Sequence, residues 1–125
     1  MKNATVLVIE DEPSILNNIA TILQISGYTC FKACCGEDAL AILSTTIPDI
    51  ILCDVMMPNM DGFGVLKKVR ENINTQKIPF CFLSARADIV DIDFGLSLGA
   101  NGYITKPFAA KDLLATLEKI LTKES

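Results

Sequence analysis

The sequence predicts a doubly wound α/β domain, a five-stranded parallel sheet covered by helices on both faces. Three observations carry that expectation. Short apolar runs recur five times, at 5–9, 28–33, 50–53, 79–83 and 102–105. Each is followed by a stretch whose apolar residues repeat at helical spacing. The links are short and carry Gly, Pro, Asn or Asp, so strand and helix simply alternate, as in a parallel sheet.

The elements justify themselves in order. Thr5 to Ile9 is a buried strand that gives way to the acidic turn Glu10-Asp11-Glu12. Pro13 suits a first helical position. Helix 1 then carries Ile15, Ile19, Ile22 and Leu23 as its apolar stripe and stops at Gly27. Tyr28 to Ala33 is strand 2. Gly36 opens helix 2, with Ala39, Leu40 and Leu43 inward before Pro48. Ile50 to Cys53 is a strand buried on both faces, and it ends on Asp54 ahead of a Pro58-Asn59-Met60-Asp61-Gly62 loop. Helix 3 starts near Gly62 and packs Phe63, Leu66, Val69 and Ile73. Pro79 to Leu83 is strand 4, ending at Ser84. Helix 4 runs from about Ala87 to Leu98, with Ile89, Ile92 and Leu96 inward and Gly99 as the stop. Gly102 to Thr105 is strand 5. Helix 5 presents Leu113, Leu114, Leu117 and Ile120 to the sheet.

Composition narrows the function. The 125 residues, 50% of them hydrophobic, make one globular domain over residues 1–125 that buries roughly two-thirds of its unfolded surface. The net charge is −4 and there is no basic stripe, which argues against direct nucleic-acid binding. No apolar run approaches the roughly 18 residues that span a membrane. The opening residues lack the layout of a signal peptide. The chain has no histidine, which excludes His-based general bases, Ser-His-Asp triads and His-ligated metals. Of the five cysteines, Cys53 and Cys81 sit in apolar strands as small core residues. No pair has zinc-site spacing. Adjacent Cys34 and Cys35 read as two free thiols rather than a strained disulfide, and a reducing cytoplasm is the expected setting.

The chemistry gathers where strands end. Strand 1 delivers Glu10 and Asp11, strand 3 Asp54, strand 4 Ser84 and strand 5 Lys106. In open α/β sheets, the carboxyl ends of the strands are where ligands bind. Two like charges about 4 Å apart cost roughly 4 kcal/mol at an effective dielectric of 20. Lys106 and a hard divalent cation are the candidates to offset that cost, and oxygen-only ligands suit Mg²⁺. A carboxylate beside such an ion can attack a phosphoryl group and become an acyl phosphate. Ser84 and Lys106 could then hold the phosphoryl oxygens. Taken singly, each residue also has a plain reading: a helix cap for Asp54 or Ser84, a solvated turn for Glu10 and Asp11, a surface lysine for Lys106. Asp61 reads as shaping its loop with Gly62.

Four stretches together resemble the receiver domain of two-component response regulators. They are Val-Ile-Glu-Asp-Glu at 8–12, Asp-Val-Met-Met-Pro-Asn-Met-Asp-Gly at 54–62, Leu-Ser-Ala at 83–85, and Gly-Tyr-Ile-Thr-Lys-Pro-Phe at 102–108. The resemblance covers essentially the whole chain and implies a flavodoxin-like strand order of 2-1-3-4-5. It implies Asp54 as phosphoacceptor. It places Mg²⁺, with Mn²⁺ as the alternative, on Asp11, Asp54 and the main-chain carbonyl of Met56, with Glu10 acting through water. Ser84 becomes the switch hydroxyl, Lys106 the phosphate-pairing cation, Tyr103 the aromatic that swings inward on activation, and Lys106-Pro107 a cis peptide. Glu10 stands where Asp is commoner in the family, and Ser84 is an accepted alternative to Thr. Met56 and Arg86 occupy positions that tune acyl-phosphate hydrolysis in the family.

The implied partners are a histidine kinase or a histidine phosphotransfer protein upstream, and an output domain or downstream protein. On helix 4, Val90, Phe94 and Leu98 recur every four residues on a second face and form a candidate partner surface, with phosphorylation-dependent pairing of two copies as one use of it. The expected activity is limited to the domain's own phosphorylation and dephosphorylation, with no external substrate turned over. A haloacid-dehalogenase-type enzyme usually needs a second Asp two residues after the nucleophile, where this chain has Met56. A flavodoxin-like cofactor binder needs a phosphate loop after strand 1, where Glu10-Asp11-Glu12 would repel the phosphate. A receiver-like binding module independent of phosphorylation is the remaining alternative.

Overall fold

The computed structural model describes residues 3–85 and 89–124, with side chains over 3–85 and 91–122. Ten elements alternate: β1 (Thr5–Ile9), α1 (Pro13–Ile25), β2 (Thr29–Ala33), α2 (Gly36–Leu43), β3 (Ile50–Asp54), α3 (Gly62–Glu71), β4 (Phe80–Ser84), α4 (Ile89–Ser97), β5 (Gly102–Thr105) and α5 (Ala110–Glu124). The sheet is parallel throughout, in the expected order β2-β1-β3-β4-β5.

The pleat sorts each strand's residues onto two faces. One face carries Val6, Val8, Leu52, Cys81 and Ile104 against Leu16, Ile19 and Leu23 of α1 and Leu113 and Leu117 of α5. The other carries Leu7, Ile9, Cys53, Phe80 and Phe82 against Ala39 and Leu43 of α2 and Val65, Leu66 and Val69 of α3. Register then aligns the strand ends. Ile9 pairs with Cys53, Asp54 with Leu83, and Ser84 with Thr105. One step further along β1 and β5 are Glu10 and Lys106, so the pairing itself brings the polar residues to one edge.

Three helical expectations need correction. The centre of the α1 stripe is Leu16, Ile19, Ala20 and Leu23, and Ile15 and Ile22 pack only at its margin. Ile73 is not packed by α3. The helix ends at Glu71, Asn72 turns extended with ψ 124°, and Ile73 leaves the helical period to stand 81% exposed. In α4 the inward Leu96 is also wrong, because Leu96 is exposed. Gly95 is the residue against the sheet, where an added Cβ would lie 3.0 Å from the Phe82 ring. A helix seated that closely on a glycine turns the next position outward.

Candidate functional site

The acidic cluster is built by the end of β3 and by the turn that links β1 to α1. Asp54 closes β3 and is buried, as is Glu10 just beyond β1. Carboxylate oxygens of Glu10, Asp11 and Asp54 all lie within 4.8 Å of one another. Lys106 follows β5 and reaches back across the sheet edge. Its Nζ donates to Glu10 Oε1 at 2.6 Å and lies 3.5 Å from Asp54 Oδ2. The expected Lys106-Pro107 bond is cis. Main-chain donors complete the frame. Glu12 N–H reaches Glu10 Oε2 at 3.2 Å, and Met56 N–H reaches Asp54 Oδ1 at 3.4 Å.

Electrostatics follow from that frame. Burial raises the Asp11 pKa, and the hydrogen bond and charge of Glu10 raise it further. Burial works against the Lys106 ammonium, yet the Glu10 hydrogen bond and the Asp54 and Glu10 charges prevail and its pKa is raised. Among the described residues, three carboxylates face one ammonium in a partly desolvated place. That imbalance, on oxygen donors alone, fits a hard divalent cation of the Mg²⁺ kind. The buried thiol of Cys53, the residue before Asp54 on β3, is pushed well up by burial and then by Asp54, Glu10 and Asp61.

The remaining expected residues fall into place unevenly. Ser84 ends β4, is buried, and its carbonyl accepts the Lys106 N–H at 2.7 Å. The Tyr103 ring lies 5.9 Å from that of Phe82, and its hydroxyl is buried with no hydrogen-bond partner among the described residues. Met56 is 57% exposed, beside a groove of about 450 Å³ lined by Val55, Met57, Pro58 and Asp61. Grooves of about 600 and 620 Å³ lie where α2 and α3 end and along the segments leading into β3 and β4, and hold none of the clustered acids. Asp61 caps α3 by accepting Gly64 N–H at 2.9 Å, as its loop-shaping role requires. On α4, Phe94 is 51% exposed while one ring edge meets Phe63 at 4.9 Å between centroids, and Leu98 is exposed in the turn after the helix. The Val90 side chain and Arg86 lie outside the described residues.

Comparison with known proteins settles the family. The model for the response regulator receiver domain matches residues 6–118. This chain is a receiver domain of the response regulator family. The Streptococcus agalactiae transcriptional regulatory protein DltR is 42% identical over 120 residues, covering 95% of this chain and 52% of that protein. A probable transcriptional regulator ycf27 from Porphyridium aerugineum is 39% identical, covering 98% of this chain and 50% of its own length. The chain thus spans about half the length of these curated relatives. Among solved structures, the Francisella response regulator 1452 receiver domain superposes with a TM-score of 0.91 at 31% identity, covering 98% of this chain and all (100%) of that one. Vibrio cholerae chemotaxis protein CheY4 gives 0.90 at 34% identity, covering 95% and 99% of the two chains.

One group in this receiver escaped the sequence reading. Cys34, Cys35 and Asp38 converge where β2 hands over to α2, with ligand atoms all within 4.8 Å of one another. Their spacing is that of a strand end plus the first turn of a helix, which no zinc-ribbon pattern contains. The readable signal was a thiol pair directly ahead of a helix whose first turn carries Glu37 and Asp38.

Proposed function

We propose that this receiver accepts a phosphoryl group on Asp54 from a histidine kinase or histidine phosphotransfer protein, in a Mg²⁺-dependent reaction. The carrying observation is Lys106 placed between Glu10 and Asp54 within a cluster of three carboxylates. Asp11, Asp54 and the Met56 carbonyl would hold the cation, with Mn²⁺ as substitute and Glu10 acting through water. When bound, it supplies the charge that lets an anionic phosphoryl group approach carboxylates. Asp54 attacks phosphorus with a carboxylate oxygen, the donor's P–N bond breaks, and an acyl phosphate forms. Lys106 leaves its carboxylate partners for the new phosphoryl oxygens, and Ser84 donates to another.

The switch follows from what those two residues touch. Ser84 and Lys106 are joined main chain to main chain, and Tyr103 is three residues before Lys106. An unpartnered buried hydroxyl costs about 1–3 kcal/mol. The Tyr103 position is therefore one that a modest change nearby can re-set. The readout is the α4–β5–α5 face with Phe94 and Leu98, joined by Leu96, which is exposed as well. Couplings of about 1–3 kcal/mol suffice for a graded effect on an output domain, a downstream protein or a second copy. The chemistry is confined to this protein's own phosphorylation and hydrolysis, and the five free cysteines suit the cytoplasm.

Intact mass after incubation with Mg²⁺ and acetyl phosphate tests the reading. One phosphoryl adduct is expected, absent in Asp54→Asn and in metal-free protein. No adduct here or with a panel of kinases would transfer the case to a phosphorylation-independent binding module.

A further inference from the structure

We propose that Cys34, Cys35 and Asp38 form a second cation site, for a thiophilic divalent ion of the Zn²⁺ type. It does not depend on the Asp54 reading. The chain leaves β2 at Ala33, makes one extended residue at Cys35 with φ −160° and ψ 170°, and enters α2. Cys35 is the N-cap, and its sulfur accepts Asp38 N–H at 3.4 Å. Asp38 sits in the first turn, so the helix itself swings its carboxylate back over the two thiols. Cys34 Sγ donates to Asp38 Oδ2 at 3.0 Å.

The dimensions match a tetrahedral ion. With Zn–S near 2.3 Å and Zn–O near 2.0–2.2 Å, ligand sulfurs stand about 3.8 Å apart and a sulfur and an oxygen about 3.5 Å apart. The three donor atoms already lie within 4.8 Å of one another, close to those separations. Two sulfurs and one carboxylate leave the fourth position to water, and this softer donor set selects against Mg²⁺.

The position gives the site a consequence. Ala33 pairs with Ile9, and its carbonyl accepts the Glu10 N–H at 3.0 Å, so the thiols begin one residue from the acidic pocket. Cys34 is exposed and Cys35 half-buried, so an ion can enter and leave from solvent. Binding makes two metal–sulfur bonds and one metal–oxygen bond and releases two thiol protons to water.

Cobalt(II) titration of the reduced protein tests this by the near-ultraviolet thiolate-to-cobalt band. One equivalent per chain is expected, with Zn²⁺ displacing it stoichiometrically and a large excess of Mg²⁺ leaving it in place. Cys34→Ser and Cys35→Ser should each weaken Co²⁺ binding by at least about tenfold, and Asp38→Asn by about tenfold. Cys30→Ser and Asp54→Asn should bind as the parent does. Serine is itself a good N-cap, so the Cys35 variant keeps α2, and circular dichroism checks that. Absence of the band, its survival in both cysteine variants, or one ion per two chains would each overturn the site.

Discussion

β2 and β3 are two five-residue strands parallel to β1, and each hands over to a helix through an N-cap followed by glycine. In β3 all five residues are buried, whereas in β2 only Ala33 is. β3 lies between β1 and β4, while β2 forms the sheet's edge. The same backbone device therefore serves two chemistries. At the centre, a carboxylate is desolvated and faces the Lys106 ammonium at 3.5 Å. At the edge, thiols stay wet and open to exchange. Position in the sheet, more than the local sequence, sets what a strand end can do.

The sharpest test of that contrast is a matched pair of glycine substitutions. A Cβ on Gly62 would lie 2.4 Å from the Asp54 carbonyl oxygen and 2.9 Å from Val55 Cα, which are backbone atoms with no room to yield. Gly62→Ala should cost about 3 kcal/mol of unfolding free energy and slow phosphorylation of Asp54. At Gly36 the nearest atom is the flexible end of Met60, so Gly36→Ala should cost about 1 kcal/mol or less. Equal urea midpoints for the two variants would break the comparison.

Next in size is the central ion pair. The Lys106 side chain is 18% exposed and that of Glu10 0%, so Lys106→Met strands a buried charge and should cost about 2 kcal/mol at pH 7 without metal. Glu10→Gln in the same chain should recover most of it. The raised Lys106 pKa fixes the sign of the pH dependence. Its stabilisation is full below the unfolded-state value of about 10.4 and is lost as pH rises through the higher folded value. Lys106→Met should flatten that alkaline limb in urea titrations.

The smallest stability effect belongs to the edge, where Cys34→Ser should fall within about 0.5 kcal/mol of the parent. Reactivity separates the thiols instead. Burial pushes Cys81 up to about 12, whereas the neighbouring Asp38 carboxylate holds up the exposed Cys34. Alkylation of the native protein should modify Cys34 and Cys35 and spare Cys53 and Cys81 until urea opens the sheet. Asp38→Asn should speed the reaction at Cys34.

β1, β3 and β4 were easy to read because their apolar runs are almost unbroken. Glu10, Asp54, Ser84 and Lys106 were legible because each is the polar residue that ends a run. Asp61 was legible as a loop former. Leu96 misled because α4 carries apolar residues on several sides, and the helix meets the sheet through Gly95, which leaves no mark in a hydrophobic pattern. Ile73 misled because the end of α3 has no glycine or proline to announce it. The convergence of Cys34, Cys35 and Asp38 was hidden because it depends on one extended residue at a helix cap.

At the other end of the sheet, a guanidinium binds main chain where the upper edge relies on charge. Arg70 donates to the carbonyls of Ile78 and Gly99 and to Asn101 Oδ1, and the same Asn101 oxygen accepts the Phe80 N–H. The entrances to β4 and β5 are thereby riveted to the end of α3. Any rearrangement begun at Ser84 would then work as a lever with its fulcrum at Arg70, its travel growing toward the Asp54 end. Amide exchange along β4 and β5 should quicken from the Phe80 and Gly102 ends toward Ser84 and Thr105, and Arg70→Ala should level that gradient.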